Sequence, residues 1–359
     1  MERKIKVGVI GQGRSGRNIH SFALEHQRLS QCFELVAVCD LIPERTKESC
    51  ENNPGCIAYT DYKEMLKNQD IELIVNATPS LHHASISMEA LEAGHAVLCE
   101  KPLASSLADV ERLEETIKRT GKFFAVFQQS RFAPIFRKVR EIMNSGDLGR
   151  IVMVKMAFNN FARRWDWQTL QYMDAGNLLN TGPHPLDQAL QLMGNVDPEQ
   201  ILCIMDRANT FGDAEDHVKL IMTAKDHPTV DLEISSCSMY NPYVYQIYGT
   251  KGSLIGDHTK LDWKYYKQEE APIQKLITTP MPERTYCFED LTFYQEHYEA
   301  STEGGKFDFR TEMLYLDLYQ AMVNGKPLEV QFDEVKRQIK VIEECHRQNP
   351  LSKKFSPEK

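Results

Sequence analysis

No C-x-x-C pair occurs in this chain although it carries nine cysteines, and none of its eleven histidines belongs to an H-E-x-x-H run. Cys32, Cys39, Cys50, Cys56, Cys99, Cys203, Cys237, Cys287 and Cys345 lack metal-ligand spacing. Their odd number suits reduced thiols, several in apolar strand contexts such as Cys39 and Cys99, better than a disulfide framework. Adjacent His82 and His83 do not by themselves make a zinc site, so no metal is expected. No apolar run reaches membrane-spanning length, and the opening MERKIKVGVI enters a strand without a leader's apolar region and cleavage site. Cytoplasm is therefore the expected compartment, with no membrane partner. Excess positive charge is missing as well: a net charge of −9 argues against a nucleic-acid partner. Internal repeats and low-complexity linkers are absent too.

What remains is an ordinary globular composition, 42% hydrophobic and 26% charged over 359 residues, comfortable for two domains. In the first part, apolar runs at Val7–Ile10, Leu35–Cys39, Ile71–Asn76, Ala96–Glu100 and Phe123–Phe127 alternate with amphipathic stretches, notably Ser85–Ala93 and Leu107–Thr120. Runs that do not alternate with polar residues suit a parallel sheet covered on both faces. A doubly wound α/β domain over 1–128 is the expectation. From Gln128 the texture changes. A helical segment at Pro134–Asn144 is followed by strand-like runs at Ile151–Phe158, Ile201–Met205, His217–Thr223, Val230–Cys237 and Val244–Tyr248, with helix-like His184–Met193 between them. Several alternate as an antiparallel sheet with one open face would. Residues 129–359 therefore read as an α+β domain whose large, mainly antiparallel sheet serves substrate or another subunit. Phe309–Asn324 and Phe332–Arg347 read as helices, the latter able to pack back on the first domain, and Lys353–Lys359 reads as a solvated tail.

The most informative stretch is KVGVIGQGRSGRNIH, residues 6–20. Val7, Val9 and Ile10 lead into Gly11, Gly13 and Gly16, spaced G-x-G-x-x-G, and a helix-like segment follows. Gly11 allows the tight turn, Gly13 lets backbone approach a pyrophosphate, and Gly16 lets helix pack on strand. A helix N-terminus facing the phosphates completes a dinucleotide site. The next apolar run ends in Asp40, whose carboxylate suits the ribose hydroxyls and repels a 2′-phosphate. No cation follows before Arg45, so NAD is favoured over NADP. A strand-end aspartate capping the next helix is the competing reading of Asp40.

Thr78 to His83 and the run LCEKPLA, Leu98 to Ala104, sit at the carboxyl ends of expected parallel strands, the edge where open α/β sheets bind ligands. The expected cofactor-binding set is Gly11, Gln12, Gly13, Arg14, Ser15, Gly16, Asp40, Thr78, Pro79, His83, Glu100 and Lys101. Lys101 is the sharpest candidate. Partial desolvation and an oxidised nicotinamide nearby both favour its neutral amine, which can take a hydroxyl proton. An ordinary surface lysine after a strand is the alternative. Pro102 is expected to fix the turn that aims it, in a cis form.

At these residues the chain resembles the glucose-fructose oxidoreductase, inositol dehydrogenase and rhizopine-catabolism (Gfo/Idh/MocA) oxidoreductases over nearly its whole length. The resemblance rests on the glycine motif, Thr78-Pro79 with His83, Glu100-Lys101-Pro102, and AGNLLNTGPHPLDQAL at 175–190. Gly249-Thr250-Lys251-Gly252-Ser253 is similar to a turn in the family's second domain. It implies an NAD(P)-dependent dehydrogenase acting on CH–OH groups of sugars, cyclitols or related polyols, with Lys101 positioning substrate and assisting proton transfer. The family's second-domain motif has an Asp and then a His four residues on; here Gly176, Asn180 and His184 fall in register. If the segment is helical, Asn180 and His184 face one ligand. His184 suits acid–base work, having an ordinary pKa near neutrality, whereas the amide of Asn180 orients a hydroxyl without holding charge. Lys101, His184 and Asn180 form the expected catalytic set.

Upstream, Arg163-Arg164-Trp165-Asp166-Trp167-Gln168 interleaves aromatic faces with polar groups, as sugar recognition needs. The expected substrate set is Lys101, Arg163, Trp165, Trp167, Asn180 and His184; a buried tryptophan pair with a salt bridge competes for the two tryptophans. Tyr240, Tyr243, Tyr245 and Tyr248 read as sheet packing or a subunit interface. Asp187 either orients the His184 imidazole or solvates the helix. The expected function is oxidation of a secondary hydroxyl of a sugar, glycoside or cyclitol, C3 of a glucoside being a special case. The substrate is a small sugar or polyol and the assembly a homodimer or homotetramer. Two other readings stay open: NAD retained and used transiently for glycoside cleavage or epimerisation, and a non-catalytic sensor of NAD or sugar.

Overall fold

Unbroken apolar runs bury both faces of a strand, and the first third of the chain folds accordingly. The computed structural model describes residues 3–26, 28–281, 286–301 and 307–357. Strands β1 (Ile5–Ile10), β2 (Phe33–Cys39), β3 (Ile57–Tyr59), β4 (Leu73–Asn76), β5 (Ala96–Cys99) and β6 (Phe124–Val126) form one sheet in the order β3-β2-β1-β4-β5-β6. Every neighbouring pair is parallel. The direction of winding reverses between β1 and β4, which opens a crevice beyond the strand carboxyl ends. Connections are helical. A π-type segment, Gly16–Ser21, runs into α1 (Phe22–Glu25), followed by α2 (Pro43–Asn52), α3 (Tyr62–Met65), α4 (His83–Glu92), α5 (Leu107–Thr120) and α6 (Pro134–Ser145). Ser106 caps α5 through the Asp109 amide, and Gly121 ends it at φ 63°.

The second sheet begins with β7 (Ile151–Asn159). Two short helices follow, α7 (Asn177–Asn180) and α8 (Pro183–Leu192). Then come β8 (Gln200–Asp206), β9 (His217–Thr223), β10 (Thr229–Ser235), β11 (Tyr245–Gly249), β12 (Gly252–Gly256), β13 (Lys260–Tyr266) and β14 (Phe293–Glu299). Their order is β14-β13-β12-β11-β7-β10-β9-β8, and only β7 and β10 pair in parallel. One face is buried beneath α8, which packs on β7 and β10, and the other is open, giving the strict alternation of β9. The chain is thus an α/β protein: a parallel Rossmann-type sheet, then a large, mainly antiparallel one.

Two closing helices cross back. In α9 (Phe307–Asn324), Leu314, Tyr315, Leu318 and Tyr319 are buried with Val7, Val9, Phe33 and Leu73 of the first sheet. Helix α10 (Phe332–Gln348) opens on a Gln331–Glu334 capping box and packs on α5, β6, α8 and β8, so it touches both sheets. The tail after it is exposed, as expected, and its backbone is pinned at two amides. The amides of Lys354 and Phe355 donate to Asp213 Oδ2 at 2.8 and 3.2 Å, while Glu358 and Lys359 lie outside the described residues, as do Met1 and Glu2 of the expected N-terminal strand entry. No helix among the described residues is long and apolar enough to cross a membrane.

Candidate active site

The loop after β1 shows which glycines the protein itself requires. Gly11 has φ +88°, and a Cβ there would stand 2.5 Å from the Ala77 carbonyl oxygen. A Cβ on Gly16 would stand 1.7 Å from the Gly11 oxygen. Gly13 differs: a Cβ there meets nothing within 4 Å. Internal packing does not explain that glycine, whereas the close approach of a pyrophosphate does. The loop therefore fits a dinucleotide. Asp40 follows β2 directly and accepts from the Gln12 amide at 2.8 Å and the Ile42 amide at 2.9 Å, with Arg45 Nη1 3.7 Å away. It braces the glycine loop and the turn into α2 at once. Gln12 contributes only backbone to the loop face, because its buried side chain accepts from Ser21 and Ser49 beneath it. Arg14 is exposed and Ser15 half-buried at the helix entry.

Across the crevice, the ends of β4 and β5 are tied by polar side chains. Asn76, fully buried, donates to the His83 carbonyl and Ser87 and accepts from the Thr78 hydroxyl at 2.7 Å. The ring of His83 lies between the Pro102 carbonyl, 2.6 Å from Nδ1, and the Thr78 carbonyl, 2.8 Å from Nε2. His83 thus braces the Thr78-Pro79 loop against the Glu-Lys-Pro loop. Burial pushes its pKa down. The Lys101–Pro102 peptide is cis. Glu100 accepts from the Lys101 amide and from His20 Nε2 at 3.3 Å, and His20 Nδ1 meets the Tyr315 hydroxyl at 2.8 Å. Burial works to raise the Glu100 carboxyl; the His20 hydrogen bond and the charges of His20, Lys101 and His83 overcome it and hold it at about 2.

Lys101 is half-buried and points into the second half of the chain, where Nζ donates to the Asn180 carbonyl at 2.7 Å. Burial lowers its pKa; Glu100 opposes this, and the charges of Arg14 and Arg164 add to it. Asn180 and His184 do not share one helix as expected. Thr181 and Gly182 break the segment, because the Gly182 amide donates back to Asn177 and a side chain at 182 would collide with the Leu178 carbonyl. Both residues nonetheless reach the lysine: Asn180 by that hydrogen bond, His184 by the lysine's charge acting on its ring. Asn180 Nδ2 donates to the Gln168 carbonyl at 2.6 Å, while Asn180 Oδ1 and His184 Nδ1 are buried with no partner among the described residues. The His184 pKa is not near neutrality. Burial drives it well below 6.5, helped by Lys101 and Arg310, so the ring is neutral.

Other expected members fare differently. Asp187 neither orients His184 nor faces solvent; it is buried in a two-pronged pair with Arg131, at 2.6 and 2.8 Å, which also binds Glu334. The tryptophans are not a buried pair, being 80% exposed at Trp165 and 38% at Trp167. Arg163 and Trp165 gather on the Phe211 ring, at 4.9 and 6.5 Å. The segment's ties to the lysine run through Arg164, by charge, and Gln168, by its hold on Asn180. Tyr245 is not mere sheet packing. With His184, His258 and Arg310 it lines a cavity of about 330 Å³. Sequence reasoning missed His20, Asn76, Tyr245, His258, Arg310 and Tyr315. Asn76 alone carried a local signal, a polar residue ending an apolar run at the ligand-binding edge of the sheet.

A Rossmann-type sheet with open space over Gly13, and a lysine of lowered pKa at the carboxyl end of the same sheet, defines a dinucleotide-dependent oxidoreductase. Comparison with known sequences agrees. The profile described as an oxidoreductase family with an NAD-binding Rossmann fold matches residues 5–128, and the GFO/IDH/MocA C-terminal domain matches residues 136–255. The chain belongs to the Gfo/Idh/MocA family of oxidoreductases. Among its relatives, the 2,7-anhydro-N-acetylneuraminate hydratase of Mediterraneibacter gnavus is 26% identical over 70% of this chain and 67% of its own. The scyllo-inositol 2-dehydrogenase (NADP(+)) IolW of Bacillus subtilis is 26% identical over 53% and 52%. In fold, the WlbA dehydrogenase of Bordetella pertussis, solved with NADH and UDP-GlcNAcA, matches with a TM-score of 0.77 at 21% identity, covering 97% of this chain and 96% of that one.

Proposed function

We propose that this enzyme oxidises a secondary hydroxyl of a sugar, glycoside or cyclitol, with NAD favoured over NADP. Residues 1–128 hold the dinucleotide, and 129–359 hold substrate and the contacts to other subunits. The observation that carries the reading is that Lys101 meets Asn180 through its backbone carbonyl and His184 through its charge, and that both residues hold a buried polar atom, Asn180 Oδ1 and His184 Nδ1, without a partner among the described residues. Buried polar atoms without partners are rare in folded proteins and mark where a ligand supplies the missing bond. Bound in the crevice, the dinucleotide supplies a hydride acceptor. Lys101 in its neutral form takes the proton of the substrate hydroxyl, Asn180 Oδ1 accepts from a neighbouring hydroxyl, and neutral His184 fixes the substrate's orientation. The preference for NAD follows from Asp40, whose carboxylate stands where a 2′-phosphate would be repelled and draws Arg45 onto itself. The test is nicotinamide reduction over a panel of sugars, glycosides and inositols with NAD and with NADP. Turnover that survives Lys101→Ala undiminished sinks the mechanism.

The hydratase relative favours a second reading, in which the dinucleotide returns to its starting redox state each turnover and the net reaction is cleavage or hydration. Product formation without NADH accumulation selects it. We also propose a homodimer or homotetramer closing over the open sheet face, where Leu202 and Ile204 of edge strand β8 are 55% and 57% exposed and Ile255 of β12 is exposed on the same face. Light scattering that gives a monomer mass at every concentration rejects that assembly.

A further inference from the structure

We propose that the substrate of this site carries an N-acylamino group, read by Gln129 and Ser130 in the cavity beside His184. The inference deepens the dehydrogenase reading and rests on it for the position of the reacting hydroxyl.

The cavity, about 330 Å³, falls at the small end of ligand-pocket sizes. It adjoins the reacting centre, because His184 lines it and lies within the field of the Lys101 charge. Gln129 Oε1, Ser130 Oγ and His184 Nδ1 are buried on its lining residues and have no hydrogen-bond partner among the described residues. Gln129 and Ser130 are only 4% and 6% exposed, so bulk water does not make up those bonds. Arg310 lines the cavity as well but is engaged within the protein. A ligand is therefore met first by the glutamine and the serine.

The rest of the lining beside these two residues is apolar. Ala133, Pro134 and Ile135 follow Ser130 closely in the chain and line the same cavity, as does Phe158. Phe158 is held edge-on by Tyr245 and His258, with ring centroids 6.3 and 5.4 Å away. A ligand for this wall must donate to Gln129 Oε1, accept from the Ser130 hydroxyl and set an apolar group beside both. A carboxylate has no proton for Gln129 Oε1. A lone hydroxyl brings no apolar group, so the side chains around it gain nothing. An acetamido group supplies all three: its N–H donates to Gln129, its carbonyl accepts from Ser130, and its methyl meets the apolar side chains. Half a turn of the Gln129 amide exchanges the two polar roles, so the match holds either way. The wall is also fixed. Gln188 donates to the Ser130 carbonyl at 2.9 Å and accepts the Tyr245 hydroxyl at 2.7 Å, so Ser130 keeps its place whether or not ligand is bound. His184 Nδ1 and Asn180 Oδ1 remain for hydroxyls nearer Lys101.

The test is calorimetric binding to the NAD-saturated protein of matched pairs: N-acetyl-D-glucosamine with D-glucose, N-acetyl-D-galactosamine with D-galactose, N-acetyl-D-mannosamine with D-mannose. The corresponding free amines and N-formyl sugars divide the group into its parts. At least one N-acetyl sugar should bind about 10- to 100-fold tighter than its hydroxyl partner, from two hydrogen bonds and a buried methyl together. Its free amine should gain nothing over the hydroxyl sugar, and its N-formyl analogue should fall about threefold short of the acetyl one. Gln129→Leu combined with Ser130→Ala should abolish the preference, with NAD affinity unchanged as evidence of folding. Ser130→Ala alone should weaken the N-acetyl sugar about tenfold or less, and Ser130→Thr, which keeps the hydroxyl, should retain part of that binding. N-acetyl sugars that bind no better than their hydroxyl partners overturn the proposal, as does a preference that survives the double substitution. A free amine that binds as tightly as its N-acetyl derivative overturns it in favour of a cation. Binding of an N-acetyl sugar that depends on Gln129 and Ser130, with no turnover of any compound, leaves this inference standing and removes the dehydrogenase reading; turnover of unsubstituted sugars with no preference for the acetamido group does the reverse.

Discussion

The pKa of Lys101 is pulled down by burial, held up by Glu100 and pulled down again by Arg14 and Arg164. If its neutral amine takes the hydroxyl proton, kcat/KM rises with pH through a value below the 10.5 of an ordinary lysine. Asn180→Asp tests this directly. The substitution puts a negative charge beside Nζ, stabilises the ammonium and moves that limb upward in pH. It also sets a carboxylate oxygen against the Gln168 carbonyl where Nδ2 now donates at 2.6 Å, which should cost about 1–3 kcal/mol of stability. A pH–rate profile and a denaturation curve read the two effects separately, and a limb that stays put removes Lys101 as the titrating base. Lys101→Ala should cost about 10²- to 10⁴-fold in kcat while NAD still binds. The amide at 180 thus suits the wall it packs against, and in the proposed mechanism the proton transfer rests with the lysine.

At the scale of the element, the glycine loop separates what folding needs from what the ligand needs. Gly16→Ala drives a methyl to 1.7 Å from the Gly11 oxygen and should cost several kcal/mol, about the range of severe backbone lesions, or prevent folding. Gly13→Ala meets nothing within 4 Å and should leave the melting temperature close to wild type, yet weaken NAD about tenfold or more by standing where the pyrophosphate approaches. Titration of NAD against both variants checks this; equal loss of stability in the two would show that Gly13 serves packing after all. These elements were legible in the sequence because their signals are local. Apolar runs marked β1, β2, β4, β5 and β6, and the amphipathic period marked α5 to the residue. Strands β12 and β13 escaped although β13 buries Leu261 and Trp263 in alternation; the other elements that escaped lack such a signal. Strand β3 is three residues at a sheet edge with Ile57 exposed, and β14 is an edge strand on which only Tyr294 and Tyr298 are half-buried, so neither shows a fully buried period. The break at Thr181-Gly182 escaped as well, since a glycine within a helix-like pattern shows only in three dimensions that it is crowded by Leu178.

The whole molecule decides the rest of the site, because its supporting residues are far apart in sequence. Tyr315 on α9 meets His20, which meets Glu100, so the closing helix is wired through the first helix to the loop that carries Lys101. No spacing rule links positions so distant, which is why His20 and Tyr315 were invisible before the fold placed them side by side. His20 Nε2 lies against the Glu100 carboxylate at 3.3 Å and Nδ1 shares a hydrogen bond with the Tyr315 hydroxyl at 2.8 Å. Tyr315→Phe leaves that buried nitrogen without a partner and should cost about 1–3 kcal/mol, read by denaturant unfolding near neutral pH. The same chain predicts an acid response. The folded Glu100 carboxyl, at about 2, lies below the 4.5 of the free group, so its contribution is fully present above that ordinary value and is lost as pH falls through the folded one. Glu100→Gln should therefore lower stability at neutral pH and flatten its fall in that window. A slope unchanged by the substitution would assign acid unfolding to another carboxylate, and the link between α9 and the Lys101 loop would then be one of packing alone.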